Sequence, residues 1–233
     1  MVPFIDLHCH KKATTLQEVI AVQNKFLQDL TPDIDSLFTS GLHPWHVDNF
    51  DIPDIERKLI EAIAQKGIVA IGETGLDKKC NASFGKQLEV FRLHIEMANN
   101  ANLPMVIHCV GAWQEIIAET KNLLSPKIIH GYAGNIDLTQ QLFRQNFLFS
   151  IGEPILHAKS KVKASVAWLP TSALFCETDE RSVDICEIYR EVALQKKITI
   201  GQLKNDILLN FKRLNSNKKD WGEKYFVLKN SIS

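Results

Sequence analysis

Seven short apolar runs rich in β-branched and aromatic residues constrain this chain most: 4–7, 36–42, 68–71, 104–107, 127–129, 147–151 and 173–176. Runs of this length without strict polar alternation read as strands buried on both faces. Longer segments of helical character separate them, at 54–66, 85–102, 112–124, 137–145, 183–196 and 200–214. In 85–102, Leu88, Phe91, Ile95 and Ala98 fall three and four residues apart, which puts one apolar stripe on one helix face. Buried strands alternating with amphipathic helices require a parallel α/β sheet covered by helices.

The stretch 11–35 is ambiguous. Val19, Ile20, Ala21 and Val22 suit a buried strand, whereas 16–27 as a whole suits a helix, and periodicity does not separate the two. Counting favours the strand, because eight strands close a (β/α)8 barrel. The expectation is a compact α/β (β/α)8 TIM barrel occupying 1–233 as a single domain. Its first βα unit would be trimmed, without a proper helix, and roughly the last ten residues would be poorly ordered.

The polar residue that follows each run points to chemistry. The run 4–7 leads into His8 and His10; 68–71 leads into Glu73, 104–107 into His108, 127–129 into His130, and 173–176 into Asp179. In a parallel α/β sheet the carboxyl ends of the strands meet at one face, where active sites lie. His8 and His10 are two apart in an extended segment, so both imidazoles point to one side and Cys9 to the other. Imidazoles and carboxylates suit Zn, Mn, Fe or Ni, and Mg in a carboxylate-rich version. The set fits two divalent ions: His8 and His10 on one, His108 and His130 on the other, and Glu73 bridging through its two oxygens. Asp179 would bind one ion and orient the attacking water, with carboxylates also serving as proton acceptors. By simple counting, two ions, two carboxylates, four neutral imidazoles and one hydroxide leave about one positive charge, which favours an anionic substrate.

Charge over the whole chain narrows the substrate surface. Lys and Arg number 27, as do Asp and Glu, so the formal net charge is zero. This excludes a nucleic-acid binder that works through a broad basic face. The longest apolar runs fall far short of a membrane span, and the first residues lack the basic and apolar regions of a signal peptide. Five cysteines without a CxxC pair point away from a disulfide framework and towards a reducing cytoplasm. The oligomeric state is left open by the sequence, a monomer being compatible with it.

Six ordered stretches carry a resemblance to a known family: 6–10 (DLHCH), 41–45 (GLHPW), 72–77 (GETGLD), 104–109 (PMVIHC), 129–134 (IHGYAG) and 174–179 (LFCETD). The chain resembles the TatD family, metal-dependent DNases among the amidohydrolase-type TIM barrels, from residue 4 to about residue 214. The resemblance implies that His8, His10, Glu73, His108, His130 and Asp179 are metal ligands, with Glu73 bridging and Asp179 activating water. It implies hydrolysis of phosphodiester bonds in DNA, with exonuclease activity in some members. The chain departs from the family pattern in three places. Val110 and Gly111 follow Cys109 where an aromatic or basic residue, often Arg, is usual, Glu180 and Arg181 follow Asp179, and Lys11-Lys12 follow the HxH. The metal site is expected to be intact and the substrate surface altered. Rival expectations are a hydrolase of another ester or amide in the same barrel, and a non-catalytic metal-binding homologue. The absence of Lys from 68–77 removes a carbamylated bridge on that strand and favours the TatD-like arrangement.

Other residues carry weaker expectations. Pro44 biases His43 to an extended backbone aimed at the rim, where it would support the ligands or touch substrate. Trp45 either stacks on a nucleobase or plugs its loop. His94 reads as a packing residue, and His157 with Glu153 as rim candidates. Cys9, Cys109 and Cys176 read as small apolar fillers. Lys11, Lys12, Lys78 and Lys79 are either phosphate contacts or solvated charges. Lys218, Lys219 and Asp220 belong to a polar tail.

Overall fold

The computed structural model describes residues 2–10, 18–30 and 36–214. Eight parallel strands form one sheet in sequence order, and it curls into a nearly closed barrel. The strands are β1 (Phe4–Cys9), β2 (Val19–Phe26), β3 (Leu37–Gly41), β4 (Ile68–Asp77), β5 (Met105–Val110), β6 (Lys127–Ile129), β7 (Phe147–Ile151) and β8 (Leu174–Cys176). The helices are α1 (Ile52–Ile63), α2 (Phe84–Ala101), α3 (Trp113–Glu119), α4 (Ile136–Arg144), α5 (Val162–Trp168), α6 (Ile185–Lys196) and α7 (Ile200–Leu214).

The counting argument for 11–35 holds: Val19–Phe26 is a strand that pairs with β1 on one side and β3 on the other. Its burial alternates, with Ile20, Val22 and Asn24 buried in one row, so a polar residue continues the inward apolar register. Lys11, Lys12, the chain after residue 214 and most of the connection from β1 to β2 lie outside the described residues.

Helix ends follow local chemistry. Asp51, Ser83, Asn135 and Asp184 cap α1, α2, α4 and α6 by accepting a backbone N–H. Such caps contribute about 1 kcal/mol each. Asn102 and Lys197 end α2 and α6 in the left-handed conformation. The element that the sequence reading missed is α5. It has seven residues, and its buried Val162, Ser165 and Val166 show helical spacing over too short a span to register.

The seam between β1 and β8 is closed by side chains more than by a ladder. One parallel bridge joins Cys9 to Asp179, with Asp179 N–H donating to the His8 carbonyl (2.9 Å) and His10 N–H to the Asp179 carbonyl (3.2 Å). Asp6 accepts from Thr178 N–H (3.0 Å) and Thr178 Oγ1 (2.7 Å). From α6, the Tyr189 hydroxyl accepts from Ile5 N–H and donates to the Ile5 carbonyl, both at 3.0 Å. Asp179 adopts a positive φ of 54°, which a short polar side chain tolerates, and this turns its carboxylate towards the mouth.

Candidate metal centre

Strand ends place the ligands, and glycines let the strands approach. Gly75 lies between Glu73 and Asp77 at φ 150°, and a Cβ there would sit 2.0 Å from the His108 carbonyl oxygen. Only a glycine brings β4 this close to β5, which puts Glu73 against His108.

Glu73 is the centre of the cluster, and its two oxygens face different partners. Oε1 lies 2.7 Å from His130 Nε2, 2.9 Å from His108 Nδ1 and 3.2 Å from His43 Nε2. Oε2 lies 3.5 Å from His8 Nε2 and 3.8 Å from His10 Nε2. Asn24 clamps the residue from β2: its Nδ2 donates to Oε2 (3.3 Å), and its Oδ1 accepts the Glu73 backbone N–H (3.0 Å). Asp179 Oδ1 lies 3.3 Å from His10 Nε2 and 3.6 Å from His8 Nε2. Three groupings can each hold an ion: His8, His10 and Asp179; His8, Glu73 and His130; and His43, Glu73 and His108.

All six sequence-predicted ligands, His8, His10, Glu73, His108, His130 and Asp179, therefore converge, and His43 joins them. His157 does not. It is exposed and pairs with Glu153 at 3.0 Å. His94 is the packing residue expected: fully buried, it donates from Nδ1 to the Val90 carbonyl (2.8 Å) and accepts the Leu42 N–H at Nε2 (3.0 Å). That contact fixes the end of β3, one residue before His43. Lys78 pairs with Glu115 at 2.5 Å, and Glu180 and Arg181 are exposed.

Three functional residues escaped the sequence reading. Asn24 sits in the segment whose type periodicity left open, and its signal is the period-two row after Ile20 and Val22. Glu177 and Asp77 were in quoted motifs without a role. Glu177 Oε1 accepts the Gly131 N–H and faces His130 Nδ1 at 3.6 Å. Asp77 Oδ2 faces His108 Nε2 at 3.4 Å and accepts Trp45 Nε1–H at 2.8 Å. Carboxylates behind ligand imidazoles fix ring orientation and raise ligand basicity. They also change the charge count of the cleft. Two further negative charges turn the surplus of about one positive charge into a deficit, so anion attraction has to come from ions at the open side of the cluster.

The residues fit a metal by their own chemistry. His8 is fully buried, yet neither ring nitrogen has a hydrogen-bond partner among the described residues, while Nε2 faces two carboxylates. Burial opposes the charge on Glu73, but cationic His130 and hydrogen bonds from His108, His130 and His43 hold its carboxyl well below the usual range. Burial likewise opposes protonation of His130, but Glu73 and Glu177 carry its pKa well above the ordinary imidazole value. His10 is raised despite burial by Asp179 and Glu73, whereas burial keeps His43 lowered against Glu73. Asp179 is held low despite burial by His10, His130 and His8. A cluster that gathers protons where imidazoles meet carboxylates is one that a divalent cation can occupy in their place.

A family model described as TatD related DNase matches residues 28–216. An uncharacterized metal-dependent hydrolase of Bacillus subtilis, YabD, is 30% identical over 158 residues, covering 65% of this chain and 61% of that protein. The 3'-5' ssDNA/RNA exonuclease TatD of Yersinia pseudotuberculosis is 26% identical over 147 residues, covering 60% of this chain and 56% of that protein. The chain thus spans less than two thirds of the length of either relative. Among solved structures, the Escherichia coli TatD homolog YjjV superposes with a TM-score of 0.79 at 18% identity, over 91% of this chain and 97% of that one. No described helix is long and apolar enough to cross a membrane.

Proposed function

The chain belongs to the family of TatD-related DNases, and from that premise we propose that it is a metal-dependent hydrolase that cleaves phosphodiester bonds in DNA. The observation that carries the reading is the divided Glu73 carboxylate, with one oxygen towards His130, His108 and His43 and the other towards His8 and His10. A carboxylate so placed can serve two ions at once, which is the arrangement that two-metal phosphoryl transfer uses. The ligands are His8, His10, Glu73, His108, His130 and Asp179, with two divalent ions among Mg, Mn, Zn, Fe and Ni.

What such ions supply when bound is a water acidified to about pKa 7 and compensation for charge on the phosphoryl oxygens. The chain's own residues do the rest. Asn24 prevents Glu73 from rotating away from either set of imidazoles. Glu177 and Asp77 hold the His130 and His108 rings from behind. Asp179 is a third exposed, unlike buried Glu73, so its carboxylate meets solvent and can accept the proton that attacking water gives up. The fully buried walls around His8 exclude competing water from that side of the cluster.

The test is hydrolysis of single-stranded DNA by metal-loaded protein, with metal content measured alongside. Activity should vanish on chelation, return with Mn²⁺ or Mg²⁺, and be lost in a Glu73→Ala, His108→Ala double variant. Equal activity of that variant, or no divalent metal taken up, would refute the reading.

A further inference from the structure

Trp45 is 57% exposed beside this cluster. A single exposed aromatic is ordinary on any surface, but this one is immobilised. It follows Pro44 at the start of a 3-10 turn, Pro44–Asn49. Its backbone N–H donates to His43 Nδ1 (3.3 Å), and its indole Nε1–H donates to Asp77 Oδ2 (2.8 Å). Asp77 is itself locked. Gln87, buried on α2, accepts the Asp77 N–H (2.8 Å) and donates to its carbonyl (3.1 Å), while Asp77 Oδ1 accepts the Lys79 N–H (2.7 Å). The indole ring stands edge-on to His43, centroids 4.7 Å apart, and 6.4 Å from the His108 ring. A plug would bury its rings. Here a polar edge is anchored inward, and an apolar surface is held open one ring away from the ligands.

We propose that Trp45 is a nucleobase platform: the base of a nucleotide whose phosphate lies at the Glu73 cluster stacks on the exposed indole. This rests on the reading of that cluster as a phosphodiester site and adds what holds the rest of the substrate. Lys78, the residue after Asp77, is engaged with Glu115, and beside it the exposed indole offers a flat neutral face. Every base offers a π-face, so the platform selects for a base without selecting which one.

The test is equilibrium binding of thymidine 5′-monophosphate and of its abasic tetrahydrofuran analogue to the metal-loaded protein, by titration calorimetry. Unaltered protein should prefer the base-bearing phosphate by about 5- to 150-fold, the range that alanine substitution reveals for base–aromatic stacking. Trp45→Ala should abolish the preference, and Trp45→Phe, which keeps a stacking ring but loses the Nε1–H anchor to Asp77, should retain part of it. A preference that survives Trp45→Ala overturns the proposal, as does equal affinity, or no binding of either ligand, in the unaltered protein. Hydrolysis of thymidine 5′-p-nitrophenyl phosphate is measured in parallel. If the base preference stands and that ester is left intact, the hydrolase reading fails and the platform is supported.

Discussion

Replacing His94 with Leu should change how stability depends on pH, by an amount the structure lets us work out. His94 is fully buried, and burial lowers its pKa from 6.5 to about 4, against the opposing hydrogen bond to the Val90 carbonyl. A base with a depressed folded pKa is neutral in the fold and charged in the unfolded chain at the same pH. Its contribution is therefore fully present above pH 6.5 and is lost as pH falls towards 4. The loss reaches about 2 kcal/mol at pH 5 and about 3 kcal/mol at pH 4, at 1.36 kcal/mol per pK unit. His94→Leu leaves the Leu42 N–H without its acceptor at any pH, a cost of about 1–3 kcal/mol. Urea denaturation of chelated protein should thus show the variant weaker by that amount at pH 7.5. At pH 5 the gap should narrow by about 2 kcal/mol, to within about 1 kcal/mol of zero. The metal ligands titrate alike in both proteins and cancel in the difference. A gap that stays constant between the two pH values would show that His94 is not buried neutral, and the reasoning would fail.

Four other outcomes are expected. Asp77→Asn should weaken metal binding about 10- to 100-fold in calorimetric titration, because it removes the charge behind His108. Metal binding should release protons, seen as a buffer-dependent enthalpy. It should also strengthen as pH rises past 6.5, because His130 and His10 hold protons above that value in the metal-free cluster. DNA binding by chelated protein should be weak and depend only shallowly on salt, since a chain of zero net charge neutralises few phosphates; a steep log–log slope would contradict it. Gly75→Ala should fail to accumulate as folded protein or lose several kcal/mol by denaturation, since its Cβ has no room against the His108 carbonyl.

The ligands were legible because each follows an apolar run, and the carboxyl-side stretches of parallel strands share a face whatever the connections do. The parallel sheet was legible because its strands are apolar on both sides. The Asn24 clamp was not, because in a segment that fits helix and strand equally a buried Asn has no assignable direction. Asp77 and Glu177 were visible in their motifs, but their work is done behind His108 and His130 across the barrel, in contacts that no spacing along one strand encodes. The short α5 fell below the length at which periodicity speaks. The charge count erred for the same reason: it included the residues aimed at the ions and not those aimed at the ligands.

The β1–β8 seam sets an order of assembly. Asp6 and Thr178 are 172 residues apart and Ile5 and Tyr189 are 184 apart, so the contacts that finish the barrel pay long loop closures. During synthesis, His8, His10, Glu73, His108 and His130 all emerge before Asp179. A nascent chain holds most of its ligands while its first strand still lacks its last neighbour. The bridge from Cys9 to Asp179 that joins the last strand region to the first also sets Asp179 against His8 and His10, so the barrel seam and the cluster share the same contacts.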